Sequence, residues 1–177
     1  DCMEDRRQQI VSAAKQLFSE KGYAATGLRE IAEKAGVSLG NIYNYFKNKE
    51  EIFCNIFNPE EIASTLRDTL NHLAGDFPFN ISDLVLSIKK TVDNNIELYR
   101  LYYIDIIEFG GKNTNAMFEY FLSLGKSVFR AYLDQKIAEG KLRDYDYDFL
   151  AKQFLISMIS FFSSMHTIPA MKIENYS

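Results

Sequence analysis

The sequence predicts an all-α protein, with an N-terminal three-helix head containing a helix-turn-helix and an antiparallel helical body behind it. Three observations predict this. Apolar residues recur at helical spacing, first as Ile10, Ala14, Leu17 and Phe18, which share one face of a 3.6-residue period. Residues that stop helices alternate with residues that start them: Gly22, then Gly36 and Ser38, Asn48, Gly110-Gly111 and Asp146. No alternation of apolar and polar residues persists long enough to make a strand.

The first helix is expected over Asp5 to Lys21, with Asp5 and Gln8 spaced as a capping box and Gly22 as its left-handed stop. Thr26 is expected to cap the second helix, which carries Arg29 in its first turn. Ile31, Ala32, Ala35 and Val37 supply small packing positions, and Gly36 sits where the chain must reverse. Ser38 caps a third helix of about two turns, to Phe46. Ile42 and Phe46 are four apart and point inward, whereas Leu39, Gly40, Asn41, Tyr43, Asn44 and Tyr45 are left as mostly polar or aromatic tips. So short a helix with so few core residues reads as a recognition helix for the major groove of DNA. Asn48 and Glu51 form the capping signature of a fourth helix, which runs to about Phe57 with Lys49 in its first turn. Asn58-Pro59 then marks a boundary, giving a DNA-binding domain over 1–57 and a helical effector-binding and dimerisation domain over 58–177.

The stretch AGVSLGNIYNYFKNKEEIF, Ala35 to Phe53, resembles the signature of TetR-family transcriptional regulators (TetR/AcrR-like), roughly A-G-V-S-x-G-x-(Leu/Ile)-Tyr-x-(Tyr/His)-Phe-x-x-Lys. With the preceding helix the resemblance covers about residues 6 to 57. It implies a DNA-binding regulator with a variable helical ligand domain. In that family a hydroxyl residue often follows Thr26 and touches a phosphate; here Gly27 leaves that contact to a backbone N–H. The resemblance also places Arg29 towards the DNA backbone, where the residue pattern alone equally permits a pair with Glu33.

The expected DNA-binding set is Thr26, Gly27, Arg29, Ser38, Leu39, Gly40, Asn41, Tyr43, Asn44, Tyr45 and Lys49. A surface tyrosine such as Tyr43 can reach a phosphate or a thymine methyl. Asn41 and Asn44 suit adenine N6/N7 or simply bond locally. Gly40 either admits the backbone to the groove or eases the turn. Lys49 opposes its helix dipole, which a phosphate at that N-terminus would turn to advantage.

Charge alone argues against nucleic acid, because the chain is net −4. The imbalance is local, however. Eight Lys/Arg face eight Asp/Glu over residues 1–57, and twelve face sixteen over the rest. A neutral head still binds DNA if its cations face one way. Hydrophobic residues make up 47% and charged residues 25%, which suits a globular chain rather than a disordered one. Cys2 and Cys54 form no disulfide framework and, without a histidine cluster, no metal site. No signal peptide and no membrane-spanning run is visible, so a cytoplasmic protein is expected. His72 and His166 stand alone and no HExxH, GxSxG or phosphate loop occurs, so neither an enzyme nor a cofactor is expected.

In the body, further helices are expected over Glu60 to Leu73, from Ser82 to Phe109, from Thr114 to Glu139, and from Asp146 to about His166. Tyr99, Tyr102, Tyr103, Phe118, Phe121 and Phe154 are the candidate ligand-binding residues, since tyrosine tips need partners when buried. Glu97, Asp105 and Glu108 read as solvated carboxylates or as counter-charges for a cationic ligand. Phe154 to Met165 is apolar on nearly every side, so a second copy of the chain is expected to cover it. The combined expectation is a homodimeric, ligand-responsive repressor that leaves double-stranded operator DNA when a small hydrophobic or amphipathic effector binds. The alternative is a helical carrier of a hydrophobic ligand with no DNA role.

Overall fold

The computed structural model describes residues 2–58, 81–143 and 145–171, and the regular structure among them is helical. The head consists of α1 (Cys2–Lys21), α2 (Leu28–Lys34), α3 (Leu39–Tyr45) and α4 (Lys49–Ile56). The rest comprises α5 (Ile81–Asn94), α6 (Ile96–Phe109), α7 (Lys112–Ala138) and α8 (Tyr147–Thr167), then a 3₁₀ turn at Pro169–Met171. The helix expected over Glu60 to Leu73 lies outside the described residues.

The chain divides into two compact units. The first holds residues 1–62 together with 97–118, and the second holds 63–96 and 119–177. The first unit therefore contains the whole head plus α6 from Glu97 onward and the start of α7. Its core joins Ile10, Ala14, Leu17 and Phe18 of α1 to Ile31, Ile42, Phe46, Ile52, Phe53 and Leu101. Phe53 of α4 is fully buried and stacks on Phe109 at the end of α6, with ring centroids 4.8 Å apart. Arg7 lies over the Phe46 ring, 5.3 Å from its centroid, and donates to Asn55, so one α1 side chain braces both the end of α3 and the body of α4.

The α2–α3 turn shows why Gly36 is required. Its φ of 66° lies in the left-handed region. The Gly36 N–H bonds to the Glu33 carbonyl and the Val37 N–H to the Ala32 carbonyl, the paired closure of a Schellman end. Ser38 follows as an N-cap, its hydroxyl accepting from the Asn41 N–H at 3.1 Å. Asn48 caps α4 in the same way, accepting from the Glu51 N–H at 2.8 Å.

Several boundaries differ from expectation. α1 begins at Cys2, so Asp5 lies inside the helix and accepts from Gln9 instead of capping. Gly27, not Thr26, is the N-cap of α2. Ser82 lies one residue inside α5, and the long helix expected from it is broken at Asn95. There the Asn95 side-chain amide donates to the Thr91 carbonyl at 2.8 Å, and its backbone N–H turns to Val92. A side chain has taken the helical bond that the backbone would otherwise make.

Asp105 is fully buried rather than solvated. Its carboxylate accepts from Asn113 at 2.8 Å and from the Thr114 N–H at 2.7 Å, across the Gly110-Gly111 reversal. It thus serves the free N–H groups at the start of α7, a cap delivered from the preceding helix. Glu97 and Glu108 are exposed.

In the second unit α8 packs along α5, whose buried face is Leu84, Ile88 and Val92. Asp146 caps α8, accepting from the Phe149 N–H at 3.0 Å. Two of the α8 serines are satisfied within the helix, Ser163 and Ser164 both donating to the Ser160 carbonyl. Phe162 and Ser163 are buried, whereas Phe149, Leu150 and Ile156 are exposed. No helix among the described residues is long and apolar enough to cross a membrane.

Candidate nucleic-acid interface

The motif folds so that two buried anchors hold an exposed face. Ile42 and Phe46 are 0% and 2% exposed, as their spacing predicts. Between them, Tyr43 is 56% exposed and Asn44 is exposed. Gly40 is exposed, and a Cβ built there would meet only the Ser38 hydroxyl, at 3.9 Å. Asn41 and Leu39 are partly exposed, and Ser38 is exposed while its hydroxyl is held by the cap bond. Tyr45 was expected on the outer arc, but it is half-buried and packs against the core. It lies three residues beyond Ile42, and therefore near the inward face.

On α2, Arg29 is exposed and Gly27 is exposed with open space beside its Cα. The neighbouring Glu30 pairs with Lys21 of α1. Thr26 is different. It is 1% exposed, and its hydroxyl donates to the Gly22 carbonyl at 2.8 Å. The Thr26 side chain thus stabilises the turn from inside and is not part of the outer face.

The Lys49 side chain is engaged within the head. Its ammonium donates to the carbonyls of Tyr23 at 2.7 Å and Thr26 at 2.9 Å. It also lies 4.2 Å from the centroid of the Tyr23 ring. That ring belongs to a cluster with Phe18, Phe53 and Phe109. Burial, together with the negative charge of Glu50, raises the Tyr23 hydroxyl pKa above its usual 10.0. Sequence reading missed this arrangement because Tyr23 and Lys49 are distant along the chain.

Of the candidate ligand residues, Tyr102 meets Tyr103 and Phe118 with ring centroids 5.1 and 6.2 Å away, all in the first unit. Tyr99, in the same unit, is buried, and burial pushes its hydroxyl up to about 12. Phe154 belongs to the second unit and is half-buried. The Phe121 side chain lies outside the described residues.

A capped helix-turn-helix presenting an uncharged polar and aromatic face, with a helical body behind it, defines the class of DNA-binding regulators. The comparisons agree. The family described as bacterial regulatory proteins, tetR family, matches residues 10–55. HTH-type transcriptional regulator YhgD of Bacillus subtilis (strain 168), itself uncharacterized, is 30% identical over 146 residues, 77% of this chain and 69% of its own. HTH-type transcriptional regulator HbdR of Aromatoleum sp. (strain CIB) is 38% identical over 88 residues, 50% of this chain and 34% of its own, so this chain spans about a third of that relative's length. Among solved structures, the fatty acid degradation regulator FadR from Bacillus halodurans superposes with a TM-score of 0.71 at 22% identity, over 96% of this chain and 87% of that one. FadR from Bacillus subtilis, solved in complex with stearoyl-CoA, gives 0.67 at 22% identity, over 94% and 90%. The chain belongs to the tetR family of bacterial regulatory proteins.

Proposed function

We propose that this protein is a cytoplasmic repressor that binds paired operator half-sites as a homodimer and is released by a hydrophobic or amphipathic small molecule. The observation that carries the reading is the outer face of α3. Tyr43 and Asn44 stand exposed above the buried anchors Ile42 and Phe46, and caps hold the start of α3 and the turn that follows it. Arg29, Gly27, Ser38, Leu39, Gly40 and Asn41 flank that face and complete the contact set.

Dimerisation is supported by α8, whose Phe149, Leu150 and Ile156 are exposed on the single chain. Two heads carried by a dimer must stand about 34–36 Å apart, or a multiple, to enter successive major grooves. An amphipathic effector is supported by the aromatic group around Tyr102 and by the stearoyl-CoA held in the structure of Bacillus subtilis FadR. In the first unit, Phe109 at the end of α6 stacks on Phe53 of α4, so a shift of α6 would be felt by the helix that carries α3. Reducing operator occupancy a hundredfold needs about 2.7 kcal/mol of differential ligand affinity between the two states. Coupling is reciprocal, so operator DNA should weaken effector binding by the same factor.

The test is a fluorescence-anisotropy titration of the protein against DNA from upstream of its own gene, with and without stearoyl-CoA as the first amphipathic probe. Binding that weakens as the probe is added supports the reading. Binding unaffected by this and other long-chain amphiphiles would leave a DNA-binding regulator without the proposed effector class.

A further inference from the structure

We infer that Arg7 is a positioning residue for the reading face of α3, acting through Phe46 and Asn55 to hold the α3–α4 junction on α1. The inference rests on the DNA-binding reading of α3 given above.

Arg7 stands on the apolar stripe of α1. It precedes the buried Ile10, Ala14 and Leu17 at helical spacing, which gives it their face. A charged residue there needs partners for its head while its stem lies along apolar surface. Both partners are present. The guanidinium lies over the Phe46 ring, 5.3 Å from its centroid, within cation–π range. It also donates to the side-chain oxygen of Asn55 on α4.

Asn55 is itself held. Its amide donates to the Glu51 carbonyl at 2.7 Å, which leaves its oxygen for Arg7. Glu51 in turn closes the α3–α4 junction. Its carboxylate accepts from the Lys47 N–H at 2.6 Å, and its own N–H donates to the Asn48 cap at 2.8 Å. A continuous path of bonds therefore runs from α1 through α4 to the turn that follows α3.

α3 depends on that junction more than a long helix would. It has seven residues, and its buried anchors are Ile42 and, at its C-cap, Phe46. Tyr43 and Asn44 lie between those anchors. A shift of Phe46 tilts the exposed face about Ile42 and displaces both side chains. Base contacts need side chains held to within about 0.5 Å, whereas phosphate contacts carry no sequence information. Loss of Arg7 should therefore reduce discrimination between DNA sequences more than general affinity for DNA. A cation that acted by meeting a phosphate would instead weaken binding to every sequence alike.

The experiment compares two duplexes of equal length at one fixed salt concentration. One is DNA from upstream of the protein's own gene, and the other is unrelated. Both are titrated with the wild type, Arg7→Met, Arg7→Lys, Asn55→Leu and the Arg7→Met/Asn55→Leu pair. Arg7→Met keeps an apolar stem and removes the guanidinium. It should lower the ratio of upstream to unrelated affinity at least about tenfold, with unrelated DNA bound within about twofold of wild type. Arg7→Lys keeps the charge but not the planar fork, and should lose nearly as much. Asn55→Leu alters no charge and should reproduce the loss. The double variant should add little to either single change, because both undo one arrangement.

Equal weakening on both duplexes by Arg7→Met, full rescue by lysine, or a wild-type ratio in Asn55→Leu overturns the inference. If the wild type itself shows no preference for the upstream duplex, the α3 reading fails and the inference falls with it. A preference that survives Arg7→Met overturns the inference alone. A measurement on the unaltered protein covers the case in which the variants do not fold. The Arg7 guanidinium proton resonances should be separately resolved and ring-current shifted by Phe46. Resonances averaged with solvent, at the positions of a free arginine, overturn the inference.

Discussion

Asp105, fully buried at the end of α6, accepts a 2.7 Å hydrogen bond from the backbone N–H of Thr114 in the first turn of α7. The link spans the Gly110-Gly111 reversal, where both φ angles are positive, at 63° and 76°. Asp105→Ala removes this acceptor and the one serving Asn113, leaving a buried N–H unpaired. We predict a loss of about 3 kcal/mol in denaturant unfolding. Asp105→Asn keeps one carbonyl oxygen and should lose about half as much.

The aromatic group that joins α4 to α6 should be the most sensitive core site of the first unit. Phe53 is fully buried and meets Phe18, Tyr23, Phe57 and Phe109. Phe53→Ala should cost about 3–5 kcal/mol in urea unfolding, with Phe53→Leu near the lower end of that range or below it.

Removing the α3 cap should be milder. Ser38→Ala deletes the acceptor for the Asn41 N–H and should cost about 1 kcal/mol by thermal or denaturant unfolding. Since Ser38 opens α3, the proposed recognition helix, specific DNA binding should fall further than unfolding alone accounts for. Equal losses in the two measurements would assign Ser38 to stability only.

A pH dependence follows from Asp93 on α5. Burial raises its pKa, but hydrogen bonds from Lys89 and His166, with their charges, outweigh that and hold it below its ordinary 3.8. The His166 Nε2 lies 2.8 Å from Asp93, linking α5 to α8. The folded value is the lower one, so the stabilising contribution is present above pH 3.8 and is lost as pH falls below it. Asp93→Asn should therefore flatten the acid limb of stability against pH without altering the limb above neutrality. An acid limb identical to the wild type would remove Asp93 from the account.

The interface proposal is tested on α8. Phe162, within the apolar run Phe154 to Met165, is only 6% exposed, so a charge there would disturb the fold of the single chain. Ile156, at 46% exposed, is the informative position. Ile156→Lys should shift sedimentation towards monomer, because an unpaired buried charge costs several kcal/mol. A persistent dimer would move the interface elsewhere.

Sequence reading succeeded where the physics is local. Gly36, Ser38 and Asn48 act through backbone groups within a few residues of themselves, so the turn, both caps and the inward pair Ile42 and Phe46 were legible. It failed where the partner is distant in the chain. Thr26 looks like a cap, but its hydroxyl is used by Gly22, and nothing in the sequence shows that the Lys49 ammonium meets the Tyr23 ring. Asp105 looks solvated because nothing in its own helix reveals that α7 needs an acceptor. The break at Asn95 is local in mechanism, yet an asparagine inside a helical pattern is too common a sight to predict one.

The central claim is that the outer face of α3 reads a specific DNA sequence. The most direct measurement is a mobility-shift titration with DNA upstream of the protein's own gene, in excess unrelated competitor, for the wild type and a Tyr43→Ala/Asn44→Ala variant of unchanged stability. The account predicts specific retardation by the wild type and a loss of at least about tenfold in the variant, since each good base contact contributes about 1–3 kcal/mol of discrimination. Retardation of unrelated DNA with equal affinity, or undiminished specific binding by the variant, would contradict it.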